Sequence, residues 1–245
     1  MSIFHEVHQG LPREAPGDNS QTRKALSMLA ELPARPRILD IGCGPGMQTI
    51  ELAKRTRGTI TAVDIRKPFL ETLRRKAIEA GLDDRVTVMQ ASMFDLDFEK
   101  ESFDLIWSEG AIYIIGFEKG LRTWQPLLKR CGYLAVTELS WIKAGPPGEV
   151  KSYWGKEYPE MKSVEQNRRI IRAAGYAETG HFILPESSWW EPYYRPMQER
   201  IDQLRQKYAG DADASGSLDQ IEREIEMYRR YPTWYGYVFY LMQVH

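Results

Sequence analysis

Asp40, Gly42, Gly44 and Gly46 stand within seven residues of one another, in Arg37-Ile-Leu-Asp-Ile-Gly-Cys-Gly-Pro-Gly-Met47. Glycine reaches positive φ without cost and lets a ligand come close to the backbone. A carboxylate two residues before the first glycine can meet a cationic group, directly or through water. A second acid, Asp64, lies 22 residues beyond Gly42. At a strand end its two oxygens can accept both hydroxyls of a ribose. The glycine spacing is G-x-G-x-G, whereas the dinucleotide fingerprint is G-x-G-x-x-G and would need glycine where Met47 stands. A helix that starts at such a turn has unpaired N–H groups and favours an anion. Gln48 and Thr49, on its first turn, either bond the carboxylate of a ligand or are simply the polar side of that helix.

The elements around these residues must place them at one edge of a sheet. Residues 37–41 read as a short buried strand and 47–55 as the helix after the turn. A β-branched run over 59–64 makes a second strand, ending on Asp64. Further strands are expected over 86–90, 103–107, 133–139, 178–184 and 236–244. Helices are expected between them: one from Pro68 to Gly81, one over 118–129 and one over 164–174. Strands alternating with helices through residue 184 mean right-handed βαβ units and a mainly parallel sheet. Residues 1–20 carry Pro12, Pro16 and Gly17 and read as a mobile arm, with Ser20 as the cap of the helix that follows. Two helices are expected over 196–208 and 218–231, split by a turn-rich stretch at 210–216.

Composition narrows the class. The 245 residues are 42% hydrophobic and 27% charged, which suits a soluble chain with a real core. A net charge of −1 gives no electrostatic footprint for nucleic acid. No apolar run approaches the ~20 residues of a membrane helix, and the N-terminus has no secretory pattern, so a cytoplasmic protein is expected. Cys43 and Cys131 are the two cysteines, and neither sits in a metal-type spacing, so no metal is expected. Aromatic residues make up 11% of the chain, with many beyond residue 140.

Together these residues resemble the class I S-adenosylmethionine-dependent methyltransferases. Their first motif, an acid followed by G-x-G-x-G, is matched by Asp40, Gly42, Gly44 and Gly46, with Cys43 inside the turn. Their ribose-binding acid after strand two is matched by Asp64, with Ile65 beside it. The adenine-reading segment after strand three corresponds to Ala91-Ser-Met-Phe-Asp95. Ser92 and Met93 are expected at the cofactor there, and either Ser92 or Asp95 meets the adenine amine. Trp107-Ser-Glu-Gly110, at the end of strand four, corresponds to the backbone beside the methionine part, which brings in Ser108 and Glu109. The resemblance implies a Rossmann-like α/β sandwich, a seven-stranded sheet in the order 3-2-1-4-5-7-6 with strand seven antiparallel. It covers about residues 35–184 and the last strand. A narrower resemblance, to a group of uncharacterised prokaryotic methyltransferases, rests on Ser108-Glu-Gly-Ala-Ile-Tyr-Ile-Ile-Gly-Phe117, His181-Phe-Ile-Leu-Pro-Glu186 and Tyr235-Gly-Tyr-Val-Phe-Tyr240.

The implied reaction is in-line methyl transfer from S-adenosylmethionine to a small-molecule acceptor, leaving S-adenosylhomocysteine. Holding the reactants in line supplies most of the acceleration. An oxygen or nitrogen acceptor also has a proton to lose. The catalytic candidates are Glu109 and Tyr113. Glu109 binds the cofactor ammonium, acts as a base or caps a helix; Tyr113 contacts the acceptor or packs on the adenosine. His181 falls in a strand and reads as structural, while His5 and His8 lie in an arm able to fold over the site. One domain is expected over 1–245, with an N-terminal arm and helix over 1–33 and a cap inserted at 185–234. Trp189, Trp190, Tyr193 and Tyr194 either wall the acceptor pocket, anchor the insert, or form a dimer contact; the protein is expected to be a monomer or homodimer. Two other functions fit parts of the pattern: a nicotinamide-dependent oxidoreductase and a cofactor-binding module without turnover.

Overall fold

The computed structural model describes residues 3–245. Its strands are β1 (Arg37–Ile41), β2 (Thr59–Asp64), β3 (Val86–Gln90), β4 (Phe103–Ser108), β5 (Leu128–Trp141), β6 (Lys162–Ser163), β7 (Tyr176–Ile183) and β8 (Tyr235–Val244). Its helices are α1 (Ile3–His8), α2 (Asn19–Ser27), α3 (Met47–Arg55), α4 (Lys67–Glu79), α5 (Phe117–Trp124), α6 (Gly148–Glu157), α7 (Val164–Ala173), α8 (Ser187–Trp189), α9 (Arg195–Lys207) and α10 (Ala212–Arg230). The sheet runs β3-β2-β1-β4-β5-β8-β7, with the two-residue β6 paired to the end of β5. β8 is antiparallel to both its neighbours, and β1 to β5 are parallel. This is the Rossmann-like order expected from the sequence, with β6 as an added edge.

Alternation along each strand sorts the core into two layers. Ile38, Leu105 and Trp107 pack with Ala25, Leu52 and Ala77 from α2, α3 and α4. Leu39, Ile41 and Ile106 pack on the other face with Leu121 and Ile171 from α5 and α7. Asp40 therefore points to the α3 side. A third apolar cluster forms where β5 ends and β8 begins. It joins Val7 and Leu11 to Val150, Trp154, Tyr194, Ile201, Ile225 and Tyr235.

That third cluster explains the departures from the sequence reading. Residues 3–20 are not a mobile arm. Val7 is fully buried, α1 packs on α9 and α10, and the Gly17 N–H donates to the Ser188 carbonyl at 2.9 Å. Met1 and Ser2 lie outside the described residues. Asp18, not Ser20, caps α2, accepting from the N–H groups of Ser20 (2.7 Å) and Gln21 (3.2 Å). The stretch 210–216 is a turn only to Asp211. That residue accepts from Asp213 and Ala214 N–H and starts α10 there, because Ala214 and Leu218 then both reach the core. α6 was not expected, although Val150, Tyr153 and Trp154 carry the i, i+3, i+4 spacing of a buried helical face.

Candidate functional site

The turn after β1 is shaped by two close approaches. Gly42 has φ 72°, and a Cβ there would lie 2.4 Å from the Ala111 Cβ. Gly46 has φ 84°, and a Cβ there would lie 2.2 Å from Leu73 Cδ1. Any other residue at either position would force the turn away from the β4 loop or from α4. Beyond the turn lies a cleft of about 280 Å³ at the carboxyl ends of the parallel strands. Ligands of open α/β sheets bind at such an edge.

Gly42, Cys43, Gly44, Gln48, Asp64, Ile65, Ser92, Met93, Glu109 and Tyr113 all line this cleft. Asp64 is held in place from both sides. Its Oδ2 accepts from Gly44 N–H at 3.0 Å and its Oδ1 from Arg66 N–H at 2.8 Å. Gln48 donates from Nε2 to the Cys43 carbonyl at 3.0 Å and so braces the turn. Burial pushes the Cys43 thiol up, with Asp40 and Asp64 adding to it, so the thiol stays protonated. Ser92 lines the cleft and Asp95 does not.

Four expected residues do not line the cleft. Gly46 packs on α4. Ser108 is fully buried and donates to the Ile41 carbonyl at 2.9 Å, tying β4 to β1. Thr49 is fully buried and donates to Asp40 Oδ2 at 2.5 Å, so it cannot also reach a ligand carboxylate. Asp40 is fully buried, with Oδ1 unpartnered. Loss of water, and then the negative charge of Glu109, push its carboxyl up to about 7, against the pull of Thr49.

Glu109 lines the cleft but is not free to act as a base. Its Oε1 accepts from Trp107 Nε1 at 2.9 Å and from Thr22 Oγ1 at 2.7 Å. Its Oε2 pairs with the Arg13 guanidinium. Tyr113 is 46% exposed and its hydroxyl is pushed up by desolvation, then by Glu224, Glu138 and Glu14. His181 sits apart in β7, its Nδ1 2.7 Å from Glu178 Oε1 and its ring stacked on Tyr240.

The sequence reading did not place Arg66, Phe69, Phe94 or Ile114 at the cleft. A signal for some of them exists. Phe94 and Ile114 are 52% and 53% exposed, and Ile65 is 66% exposed. Large apolar side chains left in water just after strand ends are candidates for a flat ligand's walls.

A second cavity of about 240 Å³ adjoins the first. Phe4, His8, Glu14, Ala15, Gly110 and Tyr113 line both. Its far wall comes from α6, α9, α10 and β8, through Tyr153, Trp154, Met197, Ile221, Glu224 and Tyr237. Of the four aromatics singled out in the insert, Trp189 and Tyr193 line this cavity. Trp190 and Tyr194 pack behind them.

Comparison with known proteins bears on this geometry. The family model for a methyltransferase domain matches residues 38–132, which hold the glycine turn, Asp64 and the end of β4. The chain is 28% identical over 229 residues to the uncharacterised methyltransferase YodH of Bacillus subtilis, covering 86% of this chain and 94% of that one. It is 30% identical over 110 residues to the methyltransferase GfsG of Streptomyces halstedii, a match spanning 44% of this chain and 40% of that protein. A methyltransferase from Geobacter sulfurreducens, solved with S-adenosylhomocysteine, superposes with a TM-score of 0.84 at 18% identity, over 99% of this chain and 98% of the other. Residues 38–132 carry a methyltransferase domain, on a fold shared with solved S-adenosylmethionine-dependent methyltransferases.

The methyltransferase's own residues fit that cofactor. Asp64, at the end of β2, offers carboxylate oxygens at the cleft rim, and the apolar side chains of Ile65, Met93 and Phe94 flank it. Asp40 Oδ1, beneath the turn, is a buried acceptor left without a hydrogen-bond partner among the described residues. Among the described residues, no group of three or more acids, histidines or cysteines is arranged to hold a metal ion, and no helix is long and apolar enough to cross a membrane.

Proposed function

We propose that the methyltransferase acts on a small molecule held in the second cavity, within the cytoplasm. The observation that carries this reading is the shared lining of the two cavities, from Phe4 to Tyr113. An acceptor in one then faces the cofactor in the other across Gly110 and Tyr113. Asp64 would hold the ribose, with Ile65, Ser92, Met93 and Phe94 around the adenine. Gly42, Cys43, Gly44, Gln48, Arg13 and Glu109 would surround the amino-acid end. Asp40, Gly46, Thr49 and Ser108 act behind them, as supports of the turn and of β4. We assign residues 185–234 and the arm as the cap that closes the acceptor side.

S-adenosylmethionine supplies a methyl group made electrophilic by a positively charged sulfur. The chain's contribution is to fix the acceptor in line, exclude water and take a proton where the acceptor has one to lose. His8 stands at the junction of the cavities, buried, with Nδ1 3.0 Å from Glu14 Oε2. That contact orients the ring and leaves Nε2 to accept a proton. Tyr113, which lines both cavities, contacts the acceptor. A cavity of only about 240 Å³ and a net charge of −1 favour a small acceptor over a nucleic acid. Enclosure of the site by one chain suits a monomer, and a homodimer needs no shared residue.

The test is production of S-adenosylhomocysteine from S-adenosylmethionine and a metabolite mixture. Ile221→Trp, which fills the second cavity from α10, is expected to abolish turnover and leave cofactor affinity unchanged. Full turnover in that variant would move the acceptor elsewhere.

A further inference from the structure

We propose that the second cavity selects a small aliphatic amine, bound as its cation between the Glu224 carboxylate and the surrounding aromatic faces. This rests on the reading that the second cavity holds the acceptor.

Three independent features of the cavity converge on a cation. The first is the sign of its charge. The carboxylates of Glu14, Glu157 and Glu224 line it, while no lysine or arginine does among the described residues, in a chain with 33 of them. His8 is the one other titratable base on the lining, and Glu14 already engages it. A carboxylate, sulfate or phosphate acceptor would meet like charges with no counter-ion.

The second feature is the wall material. Tyr153, Trp154, Tyr158, Tyr193 and Tyr237 all line the same 240 Å³. Aromatic faces attract cations through the negative face of the ring, most strongly where water is excluded, and alkylated ammonium groups are recognised in such cages. A neutral flat acceptor would use the same walls, so the walls alone do not decide.

Glu224 decides. One of its oxygens accepts from the Tyr194 hydroxyl at 3.0 Å, and it forms no ion pair among the described residues. Burial pushes its carboxyl up, and His8 only partly offsets this. A half-buried carboxylate in an aromatic cavity lined, among the described residues, by no lysine or arginine is a position that a bound cation satisfies. Of the buried acids elsewhere, Glu109 has Arg13 and Glu51 has Arg23 and Arg55, while Asp40 and Glu138, which accept from hydroxyls, do not line this cavity.

The chemistry closes. An ammonium acceptor gives one proton to His8 Nε2 and becomes a neutral amine with a lone pair. The nitrogen attacks the methyl carbon, the carbon–sulfur bond breaks with its electron pair staying on sulfur, and the products are a methylated ammonium and S-adenosylhomocysteine. The positive charge moves from sulfur to nitrogen, where Glu224 and the rings remain to hold it.

The experiment uses the full chain saturated with S-adenosylhomocysteine and follows tryptophan fluorescence. Three probes of one shape are titrated: N,N-dimethylethanolamine, its uncharged isostere 3-methylbutan-1-ol and the anion 3-methylbutanoate. The amine is expected to bind at least about tenfold more tightly than the alcohol, the scale of one desolvated cation–π contact. Glu224→Gln, which keeps an acceptor for Tyr194, is expected to erase most of that preference without changing S-adenosylhomocysteine affinity. Glu157→Gln, at an exposed position, is expected to reduce it in part and guards against misfolding of the first variant. Equal or tighter binding of the alcohol or the anion, no binding of any probe, or a preference that survives in Glu224→Gln would overturn the proposal. Ile221→Trp separates the two readings. If it leaves amine binding intact, the second cavity is not the acceptor site at all; if it blocks alcohol and amine alike while they bind equally to the parent, only the amine is wrong.

Discussion

The Arg13 guanidinium pairs with the Glu109 carboxylate with side chains only 4% and 2% exposed, across 96 residues of sequence. Arg13 also approaches the Met47 sulfur, from Nη1 at 3.7 Å. The N-terminal segment is thus fastened to the end of β4 and to the first turn of α3 at once. It forms one wall of the cofactor cleft. The other partners of Glu109, Thr22 and Trp107, join α2 and the sheet to the same carboxylate.

Removing either half of this pair strands a buried charge. Arg13→Met is expected to lower stability by about 3–5 kcal/mol, as for other buried pairs with one partner deleted. The double variant Arg13→Met with Glu109→Gln is expected to recover a large part of that loss, because no charge is then left unpaired. Urea unfolding of the parent, both single variants and the double variant measures it as a cycle. A loss below about 1 kcal/mol for Arg13→Met, typical of a solvated pair, would mean that the segment is open in solution.

Asp64 makes a narrower prediction. Its two oxygens already accept from Gly44 and Arg66 N–H, so its position does not depend on a ligand. Asp64→Ala is expected to weaken S-adenosylhomocysteine binding by about 1–3 kcal/mol, the cost of leaving polar partners unmet. Calorimetry reads it directly. The Gly44 and Arg66 N–H groups lose their acceptor too, so the melting temperature is expected to fall. Unchanged affinity would remove Asp64 from the cofactor site.

The sheet was legible in the sequence because each strand is bounded by turn residues and each helix between strands carries a clear apolar stripe. The glycine turn and Asp64 were legible because backbone geometry dictates those residue types. Side-chain direction was not. Thr49 and Ser108 are polar residues beside the motif, yet both turn inward to bond Asp40 and the Ile41 carbonyl. The N-terminal segment was misread for a different reason. Its prolines and glycines do prevent regular structure after His8, but its order comes from Arg13, Val7 and Leu11 meeting partners about a hundred residues or more away. No local pattern reports a contact of that kind.

Two buried carboxyls set the expected pH dependence. Burial pushes Asp40 up to about 7 and Glu138 up to about 8, the latter although Tyr158 donates to it at 2.5 Å. Both values lie above those of the unfolded chain, so the folded state holds more protons between them. The contribution is complete below the unfolded values, near pH 4, and is lost as pH rises through 7 and 8. Stability is therefore expected to fall between about pH 4 and 8, by at most ~1.4 kcal/mol per unit for each group. Glu138→Gln should reduce that slope over its whole length, and Asp40→Asn only its part below about pH 7. Chemical denaturation at a series of pH values checks it; a profile that rises through this range would place both carboxylates in a more polar setting.

Trp189 and Trp190 are adjacent in sequence and differ in situation. Trp189 is 1% exposed, stacks on Tyr228 with centroids 3.9 Å apart and an angle of 14°, and lines the second cavity. Trp190 does not line the cavity, and the Arg229 guanidinium lies 5.2 Å from its ring centre. Trp189→Ala is expected to cost about 3–5 kcal/mol of stability, the range for deleting a large buried side chain. Trp189→Phe keeps a ring against Tyr228 at a smaller cost and isolates the effect on the cavity. In that variant the apparent KM for an acceptor is expected to rise while S-adenosylmethionine affinity stays constant, because Trp189 does not line the cofactor cleft. Trp190→Ala is expected to leave acceptor kinetics unchanged and to lower stability only through lost packing on Tyr194 and Tyr228. Should Trp190→Ala raise KM as much as Trp189→Phe, the acceptor would extend past the second cavity into the packing behind it.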